Sequence, residues 1–384
     1  MQKKIYKVGS LFAGVGGICL GFLSALNENA EYEIVWANEI DEFACETYRT
    51  NFKHPLLEGD INFILHPEKS DNPDYYSTLH DKILEQPVDI LNGGFPCQAF
   101  SIAGAQKGFN DARGNLFLSI IDLIEQLGEK FYKPRILFLE NVKNLKSHDS
   151  GKTYPVIKSK LEEAGYIIKE EVLNTMYYSD LPQNRERIYI IGFLKQEDAD
   201  RFTLFQELSK YRKEKTAEER IEDIKKILDF SVSDKKYFYT KKKYPAYYIT
   251  QEEYDSQTDK KSVRINLDED IHEMHQFYQL RRGQYVRKNQ SNVCPTLTAN
   301  MGTGGHNVPL ILTPDKRIRK LTPAETFMLQ GFPVGNGYEL PVKYKGRPYG
   351  SSHLYTQAGN AVSVPVITLI AEYILNILAE NNSE

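Results

Sequence analysis

Cys97 stands in Gly93-Gly94-Phe95-Pro96-Cys97-Gln98-Ala99-Phe100-Ser101, a turn that follows an apolar run and is stiffened by a proline. A thiol at such a turn or helix start ionises more readily than one in a core, and the thiolate is the attacking form. The bland alternative for a lone cysteine is an inert core residue. Glycines on one side and polar residues on the other argue against it. Glu140, in Glu140-Asn141-Val142, supplies a carboxyl group at the end of a neighbouring apolar segment. Arg185 and Arg187, in Gln183-Asn184-Arg185-Glu186-Arg187, stand immediately before another. A surface ion pair with Glu186 is their ordinary explanation, but it accounts for neither their position nor their spacing. A nucleophile, an acid and paired cations are the parts of covalent catalysis.

A second group of residues is suited to holding a ligand. Phe12-Ala13-Gly14-Val15-Gly16-Gly17 follows the first strand-like run and opens a helix, where glycines let backbone approach a ligand closely. A dinucleotide fingerprint requires a further glycine at position 19, and Cys19 stands there. Glu39 falls about 20 residues on, at the end of the next strand, where a carboxylate grips ribose hydroxyls. Asp60, in Gly59-Asp60-Ile61, can accept a hydrogen bond from an adenine amino group. The set fits an adenosine ligand without a pyrophosphate, which favours S-adenosylmethionine over a nicotinamide dinucleotide.

These positions need a scaffold, and the pattern of elements supplies one. Strands are predicted over Tyr6–Phe12, Glu33–Asn38, Val88–Asn92, Arg135–Leu139, Ile167–Leu173 and Arg187–Phe193. Amphipathic helices are predicted over Asp41–Asn51, Leu116–Leu127 and Thr153–Ala164. The alternation predicts an α/β fold with a doubly wound, mostly parallel sheet. The glycine loop, Glu39, Asp60, Cys97 and Glu140 all follow strands, so they converge on the crevice outside the strand carboxyl ends. From Lys195 to Asp270 the alternation dissolves into charge-rich and tyrosine-rich sequence that includes Lys241-Lys242-Lys243. The tail Pro365–Leu378 is an apolar helix, expected to pack back on the first domain and make it discontinuous.

Composition narrows the class. The chain has 384 residues, 41% of them hydrophobic, and its length suggests two domains. No apolar run reaches the roughly 18 to 20 residues that span a membrane, and the amino terminus does not resemble a signal peptide. A soluble cytoplasmic protein is expected. The four cysteines form no Cys-x-x-Cys pair, so neither a disulfide framework nor a metal site is expected. The net charge of −4 does not advertise a nucleic-acid binder. Between Phe277 and Lys320, however, eight basic residues (Arg281, Arg282, Arg287, Lys288, Lys316, Arg317, Arg319, Lys320) face the single acid Asp315. Interleaved with Tyr285, glycines and His306, that stretch suggests a phosphate-facing surface rather than a merely solvated loop.

The sequence resembles the DNA (cytosine-5)-methyltransferase family of bacterial and phage restriction–modification systems, nearly end to end. Phe12–Gly17 resembles its cofactor loop, Pro96-Cys97 its nucleophile motif, Glu140-Asn141-Val142 its acid motif and Gln183–Arg187 its Gln-x-Arg-x-Arg motif. Arg319–Pro333 resembles the segment that supports the recognition domain, and Gln357-Ala358-Gly359-Asn360-Ala361-Val362 the last motif, which returns to the cofactor. Ser10 departs from the family, which often has aspartate there, with an effect expected on local hydrogen bonding.

The resemblance implies an S-adenosylmethionine-dependent, Rossmann-like catalytic domain over 1–195 and 356–384, and a smaller target-recognition domain over 196–355. It implies that Cys97, after Pro96, attacks carbon 6 of a flipped-out cytosine, with Glu140 on N3 and the amino group. Arg187 would then bind O2, and Arg185 would brace the acid or a phosphate. No residue stands out as the base that removes the carbon-5 proton, which leaves water. Ile40, Ile61, Leu116, Asn360, Ala361 and Val362 join the cofactor set, and S-adenosylhomocysteine is the product. Gln98, Ser101, Arg281, Arg282, Arg287, Thr298, Gly304 and Gly305 are the expected DNA contacts, with Gln98–Asn115 as a lid. The expected partner is double-stranded DNA, met by a monomer, and the role is either modification beside a cognate endonuclease with no stable complex or that of a solitary methylase. Cytosine methylation of transfer RNA, a silent binding module and a dehydrogenase are the competing assignments.

Overall fold

The apolar runs of the first half become strands of one sheet in the computed structural model, which describes residues 3–95, 116–257, 264–281, 283–303 and 307–380. They are β1 (Lys4–Leu11), β2 (Ala30–Glu39), β3 (Leu56–Glu58), β4 (Ile90–Gly94), β5 (Ile136–Val142), β6 (Ile167–Asn174) and β7 (Glu186–Phe193). Their order is β3-β2-β1-β4-β5-β7-β6. β1 to β5 pair in parallel, whereas β7 runs antiparallel to both β5 and β6. Ile90, Leu91, Ile136, Leu137 and Phe138 are fully buried, because helices cover both faces of the central strands. The chain reverses direction across the sheet between β1 and β4, which opens a crevice at their carboxyl ends.

The covering helices include α1 (Gly17–Leu23), α2 (Glu42–Asn51), α3 (Ile61–Leu65), α4 (Pro73–Leu84), α5 (Leu116–Lys130) and α6 (Thr153–Glu163). Asp41 caps α2 by accepting from the Ala44 N–H at 2.7 Å. α4 was not anticipated. It carries only Leu79 and Ile83 into the core, a pattern too sparse to stand out as a stripe. Strand bounds also differ from expectation, β2 beginning at Ala30 rather than Glu33 among them, and two of the differences have a visible cause. β4 starts at Ile90 because Asp89 turns the chain, its carboxylate accepting from Lys7 N–H at 2.8 Å. β5 runs on through Val142, since Glu140 pairs with Tyr189 and Val142 with Arg187 across the sheet.

The chain divides into two units. One comprises Met1–Asn174, Glu186–Arg212 and Val364–Glu384, and the other Thr175–Arg185 and Lys213–Ser363. Residues 196–212 thus fall in the first unit and 356–363 in the second. The helix Val364–Glu380 packs against α1 so closely that a Cβ on Gly21 would lie 2.5 Å from Ile367. The Tyr6 and Tyr32 hydroxyls donate to its Leu378 and Ala371 carbonyls. No single described helix is long and apolar enough to cross a membrane.

The second unit is built on a five-stranded antiparallel sheet, β10-β9-β11-β12-β8. Its strands are β8 (Phe238–Tyr239), β9 (Tyr278–Arg281), β10 (Tyr285–Lys288), β11 (Leu310–Leu312) and β12 (Ile318–Lys320). Its helices include α7 (Ala217–Ile227), α8 (Pro323–Met328) and α9 (Ser351–Asn360). α7 begins in the tract where no element was foreseen. Its start signal was local, for Thr216 and Glu219 form a capping box.

A buried ion pair ties β12 to α8. Arg319 donates to both Glu325 oxygens at 2.8 and 2.6 Å, and to the Asp229 carbonyl at 2.7 Å. Glu325 also accepts from Thr322 N–H, as the capping-box acid of α8. Removing one partner of such a pair strands the other charge. Glu325→Ala is therefore expected to cost about 3–5 kcal/mol in urea denaturation. The apolar pair Arg319→Met with Glu325→Leu should recover most of that loss. A single variant no less stable than the double one would remove the ion pair as the cause.

Candidate active site

Glu140 sits inside β5, not after it, and only 7% of it is exposed. A carboxylate so placed needs a fixed counter-charge. The register of β5 with β7 provides it: Val142 pairs with Arg187, and Arg187 Nε lies 3.0 Å from Glu140 Oε1. The expected alternative for Arg187, a pair with Glu186, does not form through the side chain. Glu186 is bound by Lys143 at 2.9 Å, and only its backbone carbonyl accepts from Arg187. Gly94, at the end of β4, pairs with Glu140, and a Cβ there would stand 3.4 Å from Glu140 Oε2. Glycine keeps that side of the carboxyl group open.

Asn141, the middle residue of the acid motif, was not singled out from sequence. Its buried side-chain amide donates to the Phe95 carbonyl at 2.9 Å, and its Oδ1 accepts from Val142 N–H. Phe95 is the last described residue before Pro96-Cys97, so Asn141 anchors the segment that carries the cysteine. Cys97, Pro96, Gln98, Ser101, Arg282, Gly304 and Gly305 lie outside the described residues. The other three cysteines, Cys19, Cys45 and Cys294, are buried, and burial pushes all three thiols up. None of them is a thiol poised to attack.

The cofactor candidates gather at the carboxyl ends of β1, β2 and β3. Phe12, Gly14 and Gly16 have positive φ of 53°, 54° and 84°. Gly16 is required twice over, since a Cβ would also strike the Phe52 ring at 2.1 Å. Around Gly14 a Cβ would meet nothing within 4 Å, so the loop faces open space there. Glu39 holds the loop: Oε2 accepts from Gly14 N–H at 2.7 Å, and Oε1 from Ile40 and Asp41 N–H at 2.8 and 2.9 Å. Burial raises its carboxyl above the usual range, and these three N–H groups oppose the rise.

Asp60 caps α3, its Oδ1 accepting from both the backbone and the side-chain amide of Asn62 at 2.9 Å. Asn62 in turn accepts from Ser119 of α5 at 2.7 Å, which ties this corner to the helix that begins at Leu116. Ile40 is 63% exposed beside Glu39, whereas Ile61 is 2% exposed and belongs to the core. Leu116 is half-buried against that core. Ser10 is fully buried and donates to Asn92 at 2.7 Å, the local hydrogen bond expected of its departure from the family pattern. Among the described residues no group of His, Cys, Asp and Glu is placed to hold a metal.

Within the second unit, Arg185 is 1% exposed and donates to the Leu297, Gly359 and Ala361 carbonyls. Gly359 lets α9 meet backbone directly, for a Cβ there would lie 2.1 Å from the Thr298 carbonyl carbon. Asn360 ends α9 exposed, while Ala361 and Val362 are buried. Thr298 is exposed, and Arg281 and Arg287 flank the β9–β10 turn, where Arg287 donates to Gln279 at 2.6 Å.

A family model for C-5 cytosine-specific DNA methylases matches residues 6–376. The type II methyltransferase M.Bsp6I of Bacillus sp. (strain RFL6) is 44% identical over 370 residues, covering 96% of this chain and 98% of the relative. M.HhaI of Haemophilus parahaemolyticus is 33% identical over 368 residues, covering 94% and 91%. A DNMT2 variant from Spodoptera frugiperda shares the fold, with a TM-score of 0.62 at 18% identity over 96% of this chain and 99% of that one.

Asn141→Ala removes a buried donor and leaves the Phe95 carbonyl unmet, which should cost about 1–3 kcal/mol in chemical denaturation. A loss too small to measure would mean that the anchor carries no weight.

Proposed function

The chain belongs to the C-5 cytosine-specific DNA methylase family, and on that premise we propose that it methylates a flipped-out cytosine through a covalent Cys97 adduct, with S-adenosylmethionine as donor. The observation that carries the chemistry is the pair of Glu140 and Arg187 beside Gly94. It sets an acid and a cation at one spacing, matched to the N3, amino and O2 edge of cytosine.

Carbon 5 of cytosine is a poor nucleophile, so the chain must first raise its electron density. The Cys97 thiolate adds to carbon 6, and the electron pair of the 5,6 double bond is freed for a new bond at carbon 5. Glu140, in its protonated form, donates to N3 where negative charge develops and accepts from the amino group, and Arg187 donates to O2. The donor supplies a methyl group on a positively charged sulfur, which departs as a neutral thioether. Water then takes the proton from carbon 5, the double bond re-forms and the thiolate leaves. The target atom is shielded inside a stacked duplex, hence the flipped base.

The residues present fit the adenosyl donor. Gly14 borders open space, Glu39 is fixed by three N–H groups with a lone pair left on Oε2 for a ribose hydroxyl, and exposed Ile40 offers an apolar wall to a purine. Type II methyltransferase relatives support a modification role on DNA, and we infer a monomer of the bacterial cytoplasm that acts on duplex DNA, with any cognate endonuclease acting separately.

Expression in a host without cytosine methylation, followed by sequencing that marks 5-methylcytosine, should reveal one short recurrent methylated motif. Cys97→Ser should erase it while leaving a folded protein. Methylation by that variant would remove Cys97 as nucleophile, and methylation confined to RNA would overturn the substrate. Glu39→Gln should weaken S-adenosylmethionine binding by roughly tenfold in calorimetry, about 1.4 kcal/mol. Unchanged affinity would take Glu39 out of the cofactor site.

A further inference from the structure

The β8 edge of the second unit carries a feature that the expected contacts at Arg281–Lys288 do not include. Between Ser231 and Tyr247 the chain has five lysines and one acid, Asp234. Strand pairing brings this stretch beside β12, where Lys320 N–H donates to the Tyr237 carbonyl at 3.0 Å. Three lysines, Lys236, Lys243 and Lys320, are carried by this strand pair and the turn beside it. Lys243 Nζ lies 3.5 Å from the Lys236 carbonyl, and burial together with the charges of Lys243 and Lys236 lowers the Lys320 ammonium below its usual range. Of the three, only Lys236 has an ion-pair partner among the described residues, Asp234 at 2.9 Å.

Aromatic rings hold these cations in place. Lys236 stands 4.9 Å from the Tyr237 centroid, Lys243 5.2 Å from Tyr244 and Lys320 5.3 Å from Tyr355. The connecting turn is itself stiff, with Tyr239 stacked on Tyr244 at 4.4 Å and Tyr244 on Tyr247 at 6.0 Å. Crowding like charges costs free energy in the free protein, and an anion seated among them returns it. Ordering by ring contacts means little side-chain freedom is left to lose on binding.

We propose that Lys236, Lys243 and Lys320 seat a backbone phosphate of the duplex substrate, as a sequence-independent contact at the β8 edge. This rests on DNA as the substrate and adds a site to it. Arg287 lies on the opposite edge strand of the same sheet, four strand spacings or about 19 Å from β8, with Arg281 on the strand next to it. A duplex presents about ten phosphate charges over that length, enough to engage both edges. Phosphate contacts fix register and carry no sequence information, so the cluster would contribute affinity and not specificity.

The test is fluorescence anisotropy with two duplexes, one carrying the methylated motif and one lacking it, over a salt series. Glutamine variants (Lys236→Gln, Lys243→Gln, Lys320→Gln, and the triple) keep part of the stem against the rings. Thermal denaturation and S-adenosylmethionine calorimetry confirm an intact fold and cofactor site. Each substitution should weaken both duplexes by the same factor, and the triple variant should reduce the slope of log K against log salt by about 1. Folded variants with wild-type affinity and slope overturn the phosphate seat and leave the methyltransferase standing. Weakening confined to the motif duplex would instead make the cluster a base reader, which also overturns it. A wild-type chain that neither binds nor methylates duplex DNA would overturn the substrate itself, and this site with it.

Discussion

A carboxyl group in the middle of a sheet has to be paired, and at Glu140 the pairing is a matter of strand register. β5 leaves the parallel half of the sheet on one side and meets antiparallel β7 on the other. That junction sets Val142 opposite Arg187 and brings the guanidinium to the Glu140 carboxyl at 3.0 Å. A slip of one residue would turn every side chain of β7 to the other face and leave a buried charge alone. The hydrophobic pattern of Ile188, Ile190 and Ile191, all fully buried, makes such a slip costly. Core packing and site chemistry thus constrain the same register.

The neighbouring parts of the site depend on that junction. Asn141 shares the strand with Glu140, and its side chain reaches across to Phe95, so the strand that holds the acid also anchors the segment leading to Cys97. Gly94 is paired with Glu140, and its missing side chain keeps the carboxyl approachable. On the far side of the β1–β4 switch, Glu39 ties the glycine loop to the start of α2. Both carboxyl groups border one crevice, Glu39 at the end of β2 and Glu140 within β5, but they are held differently, Glu140 by a cation and Glu39 by backbone N–H groups.

The second unit relies on buried cations in structural roles. Arg319 donates to Glu325 and the Asp229 carbonyl, and Arg185 gathers the carbonyls of Leu297, Gly359 and Ala361. An arginine count therefore overstates the charge offered to DNA. Arg319 was one of the eight basic residues between Phe277 and Lys320, yet it is fully buried and neutralised. Lysines of the Ser231–Tyr247 tract, in a stretch where no pattern stood out, stand exposed beside tyrosine rings instead.

Much of the fold was legible in the chain itself. Continuous apolar runs predict buried parallel strands because both faces are covered, and polar residues just after those runs predict a shared crevice. Asp41, Thr216 and Asp60 announce helix starts through local hydrogen bonds that need no distant partner. The glycine loop was readable for the same reason, since positive φ at Gly14 and Gly16 is a local demand. The family resemblance covered the motifs from end to end. Only the tertiary structure decided who pairs with whom. That Arg187 serves Glu140 while Glu186 turns to Lys143, that Asn141 holds Phe95, and that Lys320 is brought beside Tyr237 in the lysine-rich tract all follow from strand order and register. Those depend on contacts between residues far apart in the chain, where local propensity and spacing carry no information.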